Sequence, residues 1–215
     1  HTIGSAFNTT ASLLNSQVDG TTAEIETQIV VVNSTLDALA AVNGQLRSSN
    51  LGANSPNSLL DERDRLIDSL SGKLPLSVTI GDRYDAEIRL GTSGSGPLIL
   101  SGENAKTIDA VTNEKGSIEF RIGSGQIVSR LETGMLRGLV DAHEVNELGL
   151  VVLAEAVHAQ CAGRLRQPLD DENARHHRVL RKVSLEERLV DRHVLHTHTA
   201  RIAIHVVDAI EHEER

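Results

Sequence analysis

The residues best equipped for chemistry are histidines near the end of the chain. Seven of the ten lie beyond Gly163. His193, His196, His198, His205 and His212 are candidate imidazole ligands for a transition metal, the donor type of a metal-dependent hydrolase. Their spacing argues against one shared ion. His193 and His196 are three apart and meet on a helix, but His198 is five from His193 and His205 seven further on. No single helical face gathers three of them with an acid such as Asp208. Nor does a carboxylate stand in a pattern that would orient the rings.

Other candidates are weaker. Cys161, the single cysteine, follows His158 by three residues, yet nothing nearby would lower its pKa or build an oxyanion hole. Asp82, Asp85 and Glu87 have the charge to chelate calcium but lack the spacing of a known loop, and they read as acids that keep an exposed strand soluble. Gly91-Thr92-Ser93-Gly94-Ser95-Gly96 looks like a phosphate cradle, but no helix and no Lys-Ser/Thr pair follows it, so it reads as a hairpin loop. The sequence therefore assigns no catalytic residue, no cofactor, no metal and no enzymatic activity.

The elements around these residues are clearer. Ala11, Val18, Ile25, Val32, Leu39 and Leu46 recur every seven residues, the strict seam of a long helix in a bundle or irregular coiled coil. The second seam position is weaker (Leu14, Thr21, Gln28, Thr35, Val42), with Ile29 and Leu36 one place later supplying apolar surface. Gly20 and Gly44 would weaken the helix, Gly20 marking a bend or the start of its regular part. The turn-rich segment 48–54 leads to a capped amphipathic helix over 55–71. There Ser55 is the N-cap, Pro56 the first helical residue, Leu59, Leu60, Ile67 and Leu70 the apolar face, and Leu66 its margin. Asp61 and Arg65 form an expected i,i+4 pair on the charged side. Period two then replaces period seven. Strands are expected at 76–80, 86–90, 97–100, 107–111, 117–122 and 126–128, with Leu76, Val78 and Ile80 on one face. Helix returns at 132–141 and 145–160.

Composition narrows the function further. One Tyr, two Phe, no Trp and a formal charge of −9 provide neither the stacking platforms nor the basic surface that nucleic acid requires. No uninterrupted apolar run approaches the length of a membrane span, so no membrane insertion is expected. The last 52 residues contain nine of the seventeen arginines and no glycine. This atypical His/Arg-rich tail reads as a charged helix, a tail without a fixed fold, or sequence out of its natural frame.

The 55–71 block closely resembles the S-P-N-[DS]-L-L-D-x-R-D-x-L-[IL]-x-x-L-S signature of the bacterial flagellar hook-associated protein 1 family, which joins hook to filament. Ser55, Pro56, Asn57, Leu59, Leu60, Asp61, Arg63, Asp64, Leu66 and Leu70 stand at its matching positions. Ala6-Phe7-Asn8-Thr9-Thr10-Ala11 is similar to the family's entry into its long helix. Residues 133–141, with Gly134, Leu136, Gly138 and Leu139, are similar to its G-x-L-G-G-L-L-D return to helix, and 148–160 to the returning helix itself. The resemblance covers about residues 3–160. Arg137 departs from it, standing where a glycine is usual; so does a shortened stretch between Gly138 and Leu148, and nothing after Gln160 matches.

The expected fold is α+β, with long antiparallel helices and a small antiparallel β segment inserted between the outgoing and returning helices. The expected parts are an outgoing helical part (1–74), a β part (75–130), a returning helix (131–160) and the tail (161–215). The resemblance implies an internal fragment of a structural flagellar protein, exported through the flagellar channel to an extracellular position. It implies self-association in a ring, contacts with hook protein and the second hook-filament junction protein, and a cytoplasmic export chaperone. A secreted coiled-coil adhesin module is the alternative, and a metal enzyme using the C-terminal histidines a remoter one.

Overall fold

The computed structural model describes residues 2–49, 57–114 and 116–164. Ser55, Pro56 and the histidines from His176 onward lie outside these residues, so the N-cap, the metal-ligand reading and the tail beyond Arg164 do too. The fold is α+β. Helix α1 spans Thr2–Ser48 and α2 Asn57–Ser71; seven strands follow, and α3 spans Met135–Arg164. The strands are β1 (Leu76–Ile80), β2 (Ala86–Leu90), β3 (Leu98–Ser101), β4 (Asn104–Ala105), β5 (Ile108–Thr112), β6 (Ile118–Ile122) and β7 (Gln126–Val128). The β segment is thus inserted between helices, and only the two-residue β4 has no counterpart in the sequence expectation.

The chain divides into two compact units. Among the described residues, one comprises 21–49, 57–113 and 117–142, the other 2–20, 114, 116 and 143–164. α1 and α3 each contribute to both.

In the first unit, Ile25, Ile29, Val32, Leu36, Leu39, Asn43 and Leu46 are all buried. They follow steps of four and three, the spacing that keeps one helical face against a partner. Of the strict seam, Ile25, Val32, Leu39 and Leu46 are buried, whereas Val18, and Leu14 of the second position, are half-buried. The second buried row is Ile29, Leu36 and Asn43, with Gln28 and Thr35 at its edge. Gly20 and Gly44 interrupt nothing, since α1 continues past both. At Gly44 the missing side chain leaves room for a neighbour, because a Cβ would lie 2.9 Å from Glu103 Cδ. By length and composition α1 could cross a membrane. Ile25, Ile29, Val32, Leu36, Leu39, Ala40, Val42 and Leu46 are part of the core, while Val30 and Val31 are exposed; a core helix of a globular unit meets the same criterion.

Two antiparallel sheets complete the unit, ordered β1-β2-β3-β4 and β5-β6-β7. β2 behaves as its alternation requires, with Ala86, Ile88 and Leu90 inward, and β6 buries Ile118, Phe120 and Ile122. β1 differs from expectation: Val78 and Ile80 are exposed. Its register with β2 runs from Leu76↔Leu90 to Ile80↔Ala86. As the edge strand it has a neighbour on one side only, and its far end passes beyond the core.

α2 packs through Leu66 and Leu70, with Leu59, Leu60 and Ile67 partly buried beside them. The centre of its face is therefore Leu59, Arg63, Leu66 and Leu70, a strict 4-3-4 row. Leu66 is in the middle, not at the margin, and Ile67 is peripheral. Arg65 bonds Glu62 in a fork, at 2.8 and 2.6 Å, in place of the expected Asp61 pairing. The Arg65 hydrogen bond holds the Glu62 carboxyl below its ordinary range.

In the second unit, Ala11, Leu150, Ala154 and Val157 are buried, as is His143. A Cβ on Gly149 would meet Leu14 at 3.3 Å, so α1 and α3 approach closely there. Residues expected as two helical stretches form one α3.

Candidate functional site

The polar groups that organise the first unit lie where helices meet strand ends, and they bond backbone. Asn43, fully buried on α1, donates from Nδ2 to the carbonyls of Ala86 and Gly102, each at 2.8 Å. Its Oδ1 accepts the Ala86 N–H at 2.8 Å. One amide thus satisfies both backbone groups of the first β2 residue and the carbonyl of the β3–β4 turn. Asn33, ten residues earlier, does the same for β5: Nδ2 donates to Ile108 O and Oδ1 accepts Ile108 N–H, both at 2.9 Å. The start of a strand in each sheet is therefore clamped to α1, as buried backbone groups require partners. Nothing in the sequence reading singled out these asparagines. A signal existed for one of them: the series Ile29, Leu36 continues by seven to Asn43, a polar residue in an apolar row.

Arg63 is the polar centre of α2. Its side chain is only 10% exposed, and its Nε and Nη2 bond Asp64 Oδ1 at 2.8 and 2.6 Å. Nη1 donates to Tyr84 O at 2.8 Å. Tyr84 is the one non-glycine among the described residues with positive φ, at 62°. Arg63 thus holds the carbonyl of a strained turn residue in the β1–β2 hairpin. We expect Arg63→Met, which keeps the apolar stem, to cost about 1–3 kcal/mol, the usual worth of a hydrogen bond to a charged group. Arg63→Ala should cost more by losing the stem as well. Chemical denaturation checks both, and equal stabilities for Met and wild type would show that the hairpin holds without the clamp.

The two blocks that carry the family resemblance meet at the end of α2. Met135 N–H donates to Gly72 O at 3.1 Å and Leu136 N–H to Lys73 O at 3.2 Å. Donors left free in the first turn of α3 are thus satisfied by carbonyls just past α2. Gly134, at φ 98°, makes this possible, since a Cβ there would lie 2.6 Å from Lys73 O. Leu136 is fully buried beneath the junction, and Leu139 packs against the same core. Gly138 is open, with nothing within 4 Å of a Cβ. Asn57, Asp61 and Asp64 are exposed. Arg137 forms a forked pair with Asp141, Nε to Oδ2 at 2.8 Å. Lys73 also donates to Gln28 of α1.

One more strap crosses the hairpin loop. Glu132 Oε2 accepts from the Thr92 hydroxyl at 2.6 Å and from its N–H at 3.2 Å. These bonds stabilise the carboxylate and lower its pKa. The loop itself is the β2–β3 connection, closed by Leu90 N–H to Pro97 O at 2.9 Å. Among the described residues no group of three His, Cys, Asp or Glu side chains is placed to hold a metal ion.

A helix-borne set of backbone clamps, with the start of α3 tied to the carbonyls just past α2, is a framework for rigidity. The family model for the flagellar hook-associated protein FlgK helical domain matches residues 1–159. The chain belongs to that family. Flagellar hook-associated protein 1 of Salmonella typhimurium is 28% identical over 172 residues, covering 72% of this chain and 31% of the relative. The protein of the same name from Salmonella typhi aligns with the same figures. Among solved structures, the flagellar hook junction protein FlgK from Burkholderia pseudomallei superposes with a TM-score of 0.61 at 20% identity, covering 76% of this chain and 30% of that one. The likeness in fold extends the FlgK family match to the architecture. The chain spans about a third of the length of these relatives.

Proposed function

We propose that the chain is a structural part of the bacterial flagellum, the rigid helical portion of a hook-filament junction subunit. The observation that carries this reading is the FlgK helical-domain match over residues 1–159. The geometry agrees with it: the buried Asn43 and Arg63 side chains bond backbone and fix strands and a hairpin to helices, where an enzyme would aim such groups into a cleft. In this reading the Arg63 clamp and the α2–α3 junction keep the unit stiff while its outer faces meet other axial subunits. Those would be further copies in a ring, hook protein and the second junction protein, with a cytoplasmic chaperone guiding export to an extracellular position. The outgoing (1–74), β (75–130) and returning (131–160) parts would all belong to that portion of the subunit.

A chimera tests it. Residues 1–159 replace the matching segment of the Salmonella typhimurium relative, in a strain lacking the native gene. The expected result is filaments attached to hooks and restored swimming. A chimera exported at normal levels that leaves hooks bare would sink the proposal.

A further inference from the structure

Asn43 and Gly44 form the one Asn-Gly pair in the chain. Such a pair is chemically unstable in a flexible backbone, because glycine lacks the Cβ that would hinder approach of its nitrogen to the asparagine side chain. In α1 each reacting group is occupied. Gly44 lies inside the helix, where its N–H belongs to the ladder of i→i−4 bonds. Asn43 Nδ2 is held by the carbonyls of Ala86 and Gly102 and Oδ1 by the Ala86 N–H, at a position with no solvent exposure. Neither base nor water reaches the amide there. The backbone does not itself demand glycine at 44. The three atoms nearest a Cβ all belong to the Glu103 side chain, which is exposed and can turn aside.

We propose that Asn43-Gly44 is a fold-gated modification site, protected in the folded chain and converted in the unfolded one to an acid that this fold excludes. In the unfolded chain the Gly44 nitrogen, its proton given up to solvent base, attacks Asn43 Cγ. The Cγ–Nδ2 bond breaks and ammonia leaves, taking its third hydrogen from water. Water then opens the succinimide at either carbonyl, giving aspartate, or isoaspartate in which the main chain runs through Cγ. Neither product fits. An aspartate carboxylate only accepts hydrogen bonds, so it faces the Ala86 and Gly102 carbonyls with no proton to give and brings a charge into a dry site. Isoaspartate adds a backbone carbon between the buried seam residues Leu39 and Leu46 and breaks the helical register that buries both. The fold thus sets a clock on its own unfolded state: a chain that folds keeps its amide, and one that lingers unfolded is retired.

The test ages the full chain for equal times at mildly alkaline pH, unfolded in guanidinium chloride and folded in buffer. Mass spectrometry of the tryptic peptide 1–47 then locates amide-to-acid conversion residue by residue. Conversion at Asn43 should be at least about tenfold faster in the unfolded chain, since the folded one opens rarely. On dilution of the denaturant, the fraction that regains native circular dichroism should fall in step with the fraction converted. Gly44→Ala combined with Glu103→Ala, which makes room for the new Cβ, should keep both its amide and its refolding yield after the same ageing. That variant separates Asn43 from other sites of damage. Asn43→Asp, made directly, should be less stable in urea than Asn43→Ala, because it adds a buried charge to the same lost bonds. Equal conversion in folded and unfolded chains would overturn the proposal. So would converted chains that refold as well as unconverted ones, refolding lost equally by the double variant, or an Asn43→Asp chain as stable as wild type.

Discussion

Asn43→Ala is expected to cost about 3–5 kcal/mol, a large share of the roughly 5–15 kcal/mol that typically holds a domain together. The amide makes three hydrogen bonds of 2.8 Å in a site with no solvent exposure. Its removal strands the N–H and C=O of Ala86 and the C=O of Gly102, each at the cost of an unpaired buried group. Asn43→Leu discriminates between mechanisms. If the position mattered mainly for filling space, leucine would restore stability and continue the apolar row of Ile29 and Leu36. If the hydrogen bonds matter, leucine is no better than alanine, because it leaves the same three groups unpaired. Asn33→Ala supplies a graded comparison: it loses two bonds at a half-buried site that water can reach, and should cost about 1–2 kcal/mol. Urea midpoints measured at unchanged m-value decide among these outcomes. A leucine variant as stable as wild type would show that packing, not the clamp, holds the hairpin to α1.

How much of this was legible in the sequence depended on whether a feature repeats. The seam of α1 was readable because Ile25, Val32, Leu39 and Leu46 recur every seven residues and a helix converts that period into one face. The strands were readable because period two and glycine punctuation bracket them. Features decided by a single long-range contact were not readable. Arg63 sits among Asp61, Glu62, Asp64 and Arg65 and looks like surface charge; only the Tyr84 carbonyl, reached across 21 positions, makes it interior. Val78 and Ile80 alternate as well as Ala86 and Ile88 do, but alternation fixes which residues share a face without fixing whether the strand end lies over the core. The 55–71 and 133–141 blocks identified the family from their residues, while the bonds from the second block to Gly72 and Lys73, just past the first, appeared only in three dimensions. Arg65 chose Glu62 over Asp61 because i,i+3 and i,i+4 partners are equally near on a helix, and pattern alone does not choose.

Gly134→Ala and Gly138→Ala should move stability in opposite directions although they alter two glycines of one motif. At Gly134 the backbone is at φ 98°, where a Cβ is strained, and the new atom would lie 2.6 Å from Lys73 O and 2.9 Å from Lys73 C. Both obstacles are backbone, so neither can swing away. The start of α3 must shift, which breaks the Met135 to Gly72 and Leu136 to Lys73 hydrogen bonds and lifts Leu136 from its buried seat. Backbone strain of about 1–3 kcal/mol and two lost hydrogen bonds at about 1 kcal/mol each give an expected loss of roughly 3–5 kcal/mol. Gly138 lies within α3 with open space around its Cβ position. Alanine there removes backbone freedom from the unfolded chain, so it should gain about 0.5–1 kcal/mol. Thermal unfolding of the two variants side by side is the check. Two variants of equal stability would show that the α2–α3 junction yields locally. Opposite shifts would instead assign to Gly134 the role of letting the start of α3 reach the Gly72 and Lys73 carbonyls just past α2.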